Sequence, residues 1–195
     1  MNIKKSLIAL AIGVSGLASA GTLTSQGVTF NTWAVDSNTM GLQILNVLNA
    51  TGNWAPVNYL KAFEIKNVSF GADIASASIA SGPGSFAATV SQGLSANAGC
   101  TTGGTPGACF VSSPAVTLTN NMTWTIDFTA APGGTLNFDN AHLKVQFLTN
   151  ATDKKATGDL LSKDIVTAVP EPETYGMLLA GLGLIGAVMR RRKAQ

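Results

Sequence analysis

The sequence predicts an all-β domain, an antiparallel β-sandwich of jelly-roll type, held between two apolar ends. Three observations predict it. Through the middle of the chain, apolar residues alternate with polar ones far more often than they recur at helical spacing. Clusters of Gly, Pro, Asn, Ser and Thr cut these runs at regular intervals. Once both ends are set aside, roughly 150 residues remain, enough for one domain with a real core.

The first element is a signal segment, residues 1–20. Lys4 and Lys5 make a positive start, Leu7 to Val14 is an apolar run, and Ala18-Ser19-Ala20 ends it with small residues. That order predicts a signal helix cut by signal peptidase between Ala20 and Gly21. The β-domain is then expected over residues 21–168.

The first strand candidate within it is Gly27 to Ala34. Gly41 to Leu48 follows. Leu42, Ile44 and Leu45 fit either period, but a helix there would stand alone in an all-β chain. Tyr59, Phe63 and Ile65 suggest a third strand, although Lys61 shares their parity. Asn67 to Ile74, Phe86 to Val90 and Leu160 to Val166 are further candidates. The strongest alternation is Val116, Leu118, Met122, Trp124, Ile126 and Phe128 against Thr117, Thr119, Thr123, Thr125, Asp127 and Thr129. It reads as a half-buried strand, or two broken near Asn120-Asn121. Leu143, Val145 and Phe147 repeat it, with His142, Lys144 and Gln146 pointing outward. The breakers are Asn49–Asn53, Ser81–Ser85, Gly99–Gly107, Ala131–Gly134 and Asn150–Gly158. Many short strands joined by turns imply two packed antiparallel sheets.

Cys100 and Cys109 flank a loop of turn residues. They are the only cysteines. In an exported chain an even count at short spacing predicts a disulfide. A metal site would ask for more Cys or His, and the chain has one His. A redox pair is more often C-x-x-C.

The net charge of +2 is set by the ends. Between residues 21 and 170 stand six lysines, no arginine and eight carboxylates, a net charge of −2. A nucleic-acid partner needs a basic stripe, so that class is excluded. The apolar share of 46 % is likewise raised by the two ends, and what remains is rich in Thr, Ser, Asn, Ala and Gly.

No cofactor and no metal is expected. Gly181-L-G-L-I-G186 has the G-x-G-x-x-G spacing but follows no strand, so it reads as small residues in an apolar span. His142 has no G-x-S-x-G or Cys nucleophile beside it. Asp153, Asp159 and Asp164 lack the spacing of a Ca²⁺ loop. Glu64 and Asp73 are a carboxylate pair whose separation the sequence does not fix. Trp33, Trp54 and Tyr59 are candidates for stacking on sugar rings, with Trp54 beside a Pro in a turn. Trp124 shares the apolar parity and reads as core. The N-x-S/T triplets at Asn49, Asn67, Asn121 and Asn150 are expected by chance in such a composition.

The tail, residues 169–195, differs from everything before it. Pro170 and Pro172 fix φ and remove donors, leaving an extended segment around Glu171. Tyr175 to Met189 is 15 residues without a charge. As a helix it covers about 22 Å, short of the roughly 30 Å hydrocarbon core but sufficient with bilayer thinning and snorkelling. Arg190, Arg191, Arg192 and Lys193 follow at once and hold that end in the cytoplasm.

Pro-Glu-Pro, apolar span and basic end, in that order, resemble the PEP-CTERM sorting signal of exopolysaccharide-producing Gram-negative bacteria. The resemblance covers the tail only. It implies recognition of Pro170-Glu171-Pro172 by exosortase, anchoring in the inner membrane through helix 175–189, then cutting and delivery to the cell surface or extracellular matrix. It also makes exposed Ser and Thr hydroxyls an expected O-glycosylation surface. The resulting expectation is a structural or interaction protein of that matrix, not an enzyme. The alternative is a module that binds exopolysaccharide. A secreted hydrolase ranks last, because no catalytic constellation stands out.

Overall fold

The computed structural model describes residues 20–102, 107–166 and 182. The signal segment up to residue 19, the loop 103–106, the Pro-Glu-Pro motif and, apart from residue 182, the expected helix 175–189 lie outside them. Among the described residues no helix is long and apolar enough to cross a membrane.

The described chain is an antiparallel β-structure of fourteen strands: β1 Ala20–Ser25, β2 Val28–Ala34, β3 Thr39–Leu45, β4 Tyr59–Lys66, β5 Ser69–Phe70, β6 Ile74–Ser81, β7 Phe86–Thr89, β8 Gly93–Ser95, β9 Gly99–Thr101, β10 Ala108–Thr117, β11 Asn121–Ala130, β12 Thr135–Leu136, β13 Asn140–Leu148 and β14 Leu161–Val166. Two five-stranded sheets carry the fold. Sheet A has the order β1-β2-β3-β11-β6, and sheet B the order β14-β13-β4-β10-β7. Short ladders β5–β12 and β8–β9 lie apart from them.

Both strong alternations point inward as expected. Met122, Trp124, Ile126 and Phe128 of β11 are buried, and so are Leu143, Val145 and Phe147 of β13. They meet in one core. Phe63 of sheet B stands 5.7 Å from Trp124 of sheet A, and Phe147 stands 6.4 Å from Phe30. The first strand of sheet A begins where the sequence places the signal cut. A Cβ on Gly21 would come 2.7 Å from Ile165 Cγ2, so only a small residue lets β1 close against β14 at this edge.

Three differences from the alternation have physical causes. Lys61 shares the parity of Phe63 because β4 is bulged there. Gln146 pairs with Ala62 but the next residue, Phe147, pairs with Leu60, so Lys61 is the extra residue. Leu60 and Phe63 can then both face the core, and the Lys61 ammonium donates to the Ser112 carbonyl at 2.8 Å. Asn67 to Ile74 is not one strand. Asn67 and Gly71 have φ of 59° and 80°, and only Ser69–Phe70 pairs, with β12. The long strand beyond it, β6, has the sequence IASASIAS and bulges at Ala75 and Ala80, so its two Ile show no period of two. Gln146, expected to point to solvent, is fully buried, while His142 and Lys144 are half-buried.

The cause of that third correction is a flap. The β8–β9 hairpin lies on the outer face of sheet B. Leu94 packs there with Ala62 and Cys109 in a small second core, joined by Cys100, Val111 and Leu160. Gln146 Nε2 donates to the carbonyls of Ala96 and Lys154, at 3.2 and 3.1 Å. The Cys100–Cys109 disulfide ties the hairpin to β10, with Cα atoms 5.8 Å apart. Replacing both cysteines with Ser is expected to lower unfolding stability by about 2–3 kcal/mol through loop-closure entropy. Limited proteolysis of that variant should cut first within residues 93–107. Cutting elsewhere first would mean that the hairpin stays seated without its tether.

Candidate functional site

Two outer faces carry the side chains that could act on another molecule. On sheet B, register lays out a polar grid. Lys66 of β4 faces His142 of β13, which faces Asp164 of β14; Glu64 faces Lys144, which faces Ser162. Neither partner of His142 is near it in the chain: both come from a strand about 20 residues on. His142 Nδ1 lies 2.6 Å from Asp164 Oδ1, and Nε2 lies 2.9 Å from Ser162 Oγ. That is the order of a Ser–His–Asp relay. A relay of that kind holds its acid buried so that the imidazole keeps one tautomer. Here the Asp164 side chain is 61 % exposed. The contacts pin edge strand β14 to β13.

Glu64 is the deepest ionisable group of the grid. Its side chain is wholly buried under the flap. Oε2 accepts from the Lys144 ammonium at 3.1 Å and from the Leu94 N–H at 2.9 Å, while Oε1 has no partner. Next to it, burial pushes the Lys66 ammonium below its ordinary pKa. The neighbouring Lys144 charge adds to this, and Glu64 and Asp164 oppose it. Glu64 is thus committed to Lys144 and does not line the groove that Asp73 lines with Lys66, Asn67 and Ser91.

The three aspartates weighed for Ca²⁺ are engaged apart from one another. Asp153 accepts from Asn150, Asp159 from Asn53 and Asp164 from His142. Among the described residues no group of three or more His, Cys, Asp or Glu could hold a metal ion.

The three aromatic candidates do not form one platform. Trp54, a stacking candidate, is 1 % exposed. It stands 5.3 Å from Phe147 and 6.1 Å from Phe30 in the main core, and its Nε1–H donates to the Asp159 carbonyl at 2.7 Å. Tyr59 opens β4 on sheet B. Trp33 is on β2, on the outer face of sheet A, and is half-buried. The turn that Pro56 marks, two residues after Trp54, folds back and plugs the core with the indole.

The surroundings of Trp33 follow from register. Trp33 faces Gly41 of β3, which faces Thr125 of β11. A Cβ on Gly41 would fall 2.0 Å from Trp33 Cε2 and 2.6 Å from Cδ2, the two atoms shared by both rings of the indole. The indole therefore lies over the Gly41 backbone. One row away, a hydrogen-bonded chain crosses four strands. The Thr22 hydroxyl donates to Asn31 Oδ1 at 2.9 Å, Asn31 Nδ2 to Gln43 Oε1 at 3.0 Å, and Gln43 Nε2 to Asn121 Oδ1 at 3.1 Å and Thr123 Oγ1 at 3.4 Å. On the other side of the Trp33 row, Thr39 donates to Asp127 Oδ1 at 2.9 Å.

No curated protein and no solved structure matches the chain. The tail does match: residues 168–193 fit the family model described as the PEP-CTERM protein-sorting motif, so the chain carries that motif and with it a signal for export and exosortase sorting.

Proposed function

We propose that this chain is an exported structural or interaction protein of the cell surface or extracellular matrix, delivered by its tail. The observation that carries this reading is the sorting motif at residues 168–193 following an all-β domain. The order of events follows from the chemistry of the ends. Signal peptidase releases the N-terminus after Ala20. The apolar span 175–189 enters the inner membrane and stops there, because four cations in a row, Arg190 to Lys193, resist crossing. Pro170-Glu171-Pro172 is then left on the outer side, where two prolines with fixed φ and no N–H donors favour an extended segment. Exosortase cuts near it and frees the β-domain to the surface, where exopolysaccharide is the expected neighbour.

The domain supports a binding or structural role better than a catalytic one. Its deepest carboxylate is tied to a lysine, and the acid of its only relay-like cluster among the described residues faces water. Replacing Pro170, Glu171 and Pro172 with Ala is expected to leave membrane insertion intact and to block processing. In a host with exosortase, the uncleaved protein should build up in the inner-membrane fraction, read by immunoblot and intact mass. Normal size and surface delivery of that variant would overturn the sorting role of the motif.

A further inference from the structure

We propose that the outer face of sheet A binds an uncharged polysaccharide, with Trp33 as the stacking surface and the Asn31–Gln43 row as its hydrogen-bonding edge. This rests on the reading of the protein as a matrix component and names the partner class.

The first argument is the indole seated on Gly41. Glycine within a strand interior weakens it, and Gly41 lies between β2 and β11, with neighbours on both sides. Its lack of a Cβ is what allows the Trp33 ring to lie down on the backbone. A large apolar ring is then held flat on the solvent side of a sheet, outside both cores. With one face against Gly41, what Trp33 still exposes is directed outward. A flat indole offers an apolar face to the C–H face of a pyranose. Because its position is fixed before binding, little side-chain entropy is lost on contact.

The second argument is the amide row. Asn31 and Gln43 are two residues from Trp33 and Gly41 along their strands, hence about 6.6–6.8 Å away on the same face. Their orientation is set by the chain of hydrogen bonds from Thr22 to Thr123. Amides supply both donors and acceptors, which is what vicinal hydroxyls require.

The third argument is charge. Across this face, from β1 to β6, the rows around Trp33 carry Thr, Asn, Gln and Ser side chains, with Gly41 and one Asp among them. The one ionisable side chain in them is Asp127, already engaged with Thr39. No cation stands in these rows to pair with a uronate or a sulfate, and Asp127 repels one. A nonionic glycan fits, and an acidic one does not.

The test uses the full exported protein, purified from its host in whichever form, tailed or trimmed, it accumulates. Affinity electrophoresis would be run in gels containing hydroxyethyl cellulose, a soluble mannan or the host's own neutral exopolysaccharide, with alginate as the acidic control. Trp54 and Trp124 are buried, so a ligand-induced change in indole emission reports Trp33. We expect retardation by at least one neutral glycan and none by alginate. Trp33→Ala should weaken binding tenfold or more, and Trp33→Phe should keep the fold and part of the affinity while losing the emission change. Gly41→Val, whose side chain displaces the ring, should weaken binding although residue 33 is still Trp. Absence of retardation by all three neutral glycans, stronger binding to alginate, or wild-type affinity in folded Trp33→Ala would each overturn the proposal. None of these outcomes depends on where the protein is sorted, so failure here is distinct from failure of the export reading.

Discussion

Lys144→Met is expected to lower unfolding stability by about 3–5 kcal/mol, because it leaves the Glu64 carboxylate buried without its counter-charge. Glu64 has no exposed side-chain surface. Of its two oxygens, Oε1 already lacks a partner, and Oε2 would keep only the Leu94 N–H. Lys144 is 14 % exposed, so the lost attraction is screened less than at an open surface. The companion variant, Glu64→Leu with Lys144→Met, removes both charges and is expected to recover most of the loss, since replacing a buried pair by apolar groups is often neutral. Urea denaturation of the four proteins of the cycle gives the coupling. A Lys144→Met loss below about 1 kcal/mol, the range of an open surface pair, would mean that water reaches Glu64 and that the flap does not seal this face.

This pair shows where the sequence was legible and where it was not. The inward faces of β11 and β13 could be read directly, because each is a regular strand with one apolar side over many residues. By the same parity Lys144 and Gln146 belong to the solvent side, yet one is half-buried and the other fully buried. Period-two alternation reports only which residues oppose the main core. It is blind to a second layer on the other face, and the hairpin that supplies this layer, Gly93–Thr101, is made of Gly, Ser, Ala, Asn, one Thr, one Cys and a single Leu. The cysteines were the one sign of it. Their pairing was expected, yet its consequence was not, because Cys109 reads as the end of a loop and is in fact part of β10. The bulges in β4 and β6 shift parity by one residue, and nothing in composition marks them.

The site residues divide in the same way. The sorting motif is legible because it is local: three unlike segments in a fixed order, independent of tertiary contacts. The partners of His142 and the bed of Trp33 are non-local, set by register between strands far apart in the chain. Gly41 is the local sign of that bed, since a glycine inside an otherwise apolar strand marks close approach of another group.

Trp54→Ala is expected to cost about 3–5 kcal/mol, the range for truncating a large buried aromatic side chain. The indole is packed between Phe30 of sheet A and Phe147 of sheet B, so its removal opens a cavity where the two sheets meet. It also strands the Asp159 carbonyl that Nε1–H now satisfies. The turn around Trp54 and the loop around Asp159 are further joined by Asn53, whose Nδ2 donates to Asp159 Oδ2 at 2.6 Å. Gly158 sits so close that a Cβ there would come 2.3 Å from the Asn53 carbonyl oxygen. Losing the indole should therefore loosen residues 150–159 together with the core. Trp54→Phe keeps an aromatic ring and loses the hydrogen bond, so a smaller cost of about 1–3 kcal/mol is expected. Chemical denaturation measures both. Glycan affinity of the folded fraction should be unchanged in either variant, because the side chain that meets solvent is Trp33 and not Trp54. Near-native stability of Trp54→Ala combined with weakened glycan binding would reverse these assignments and make Trp54 the stacking surface.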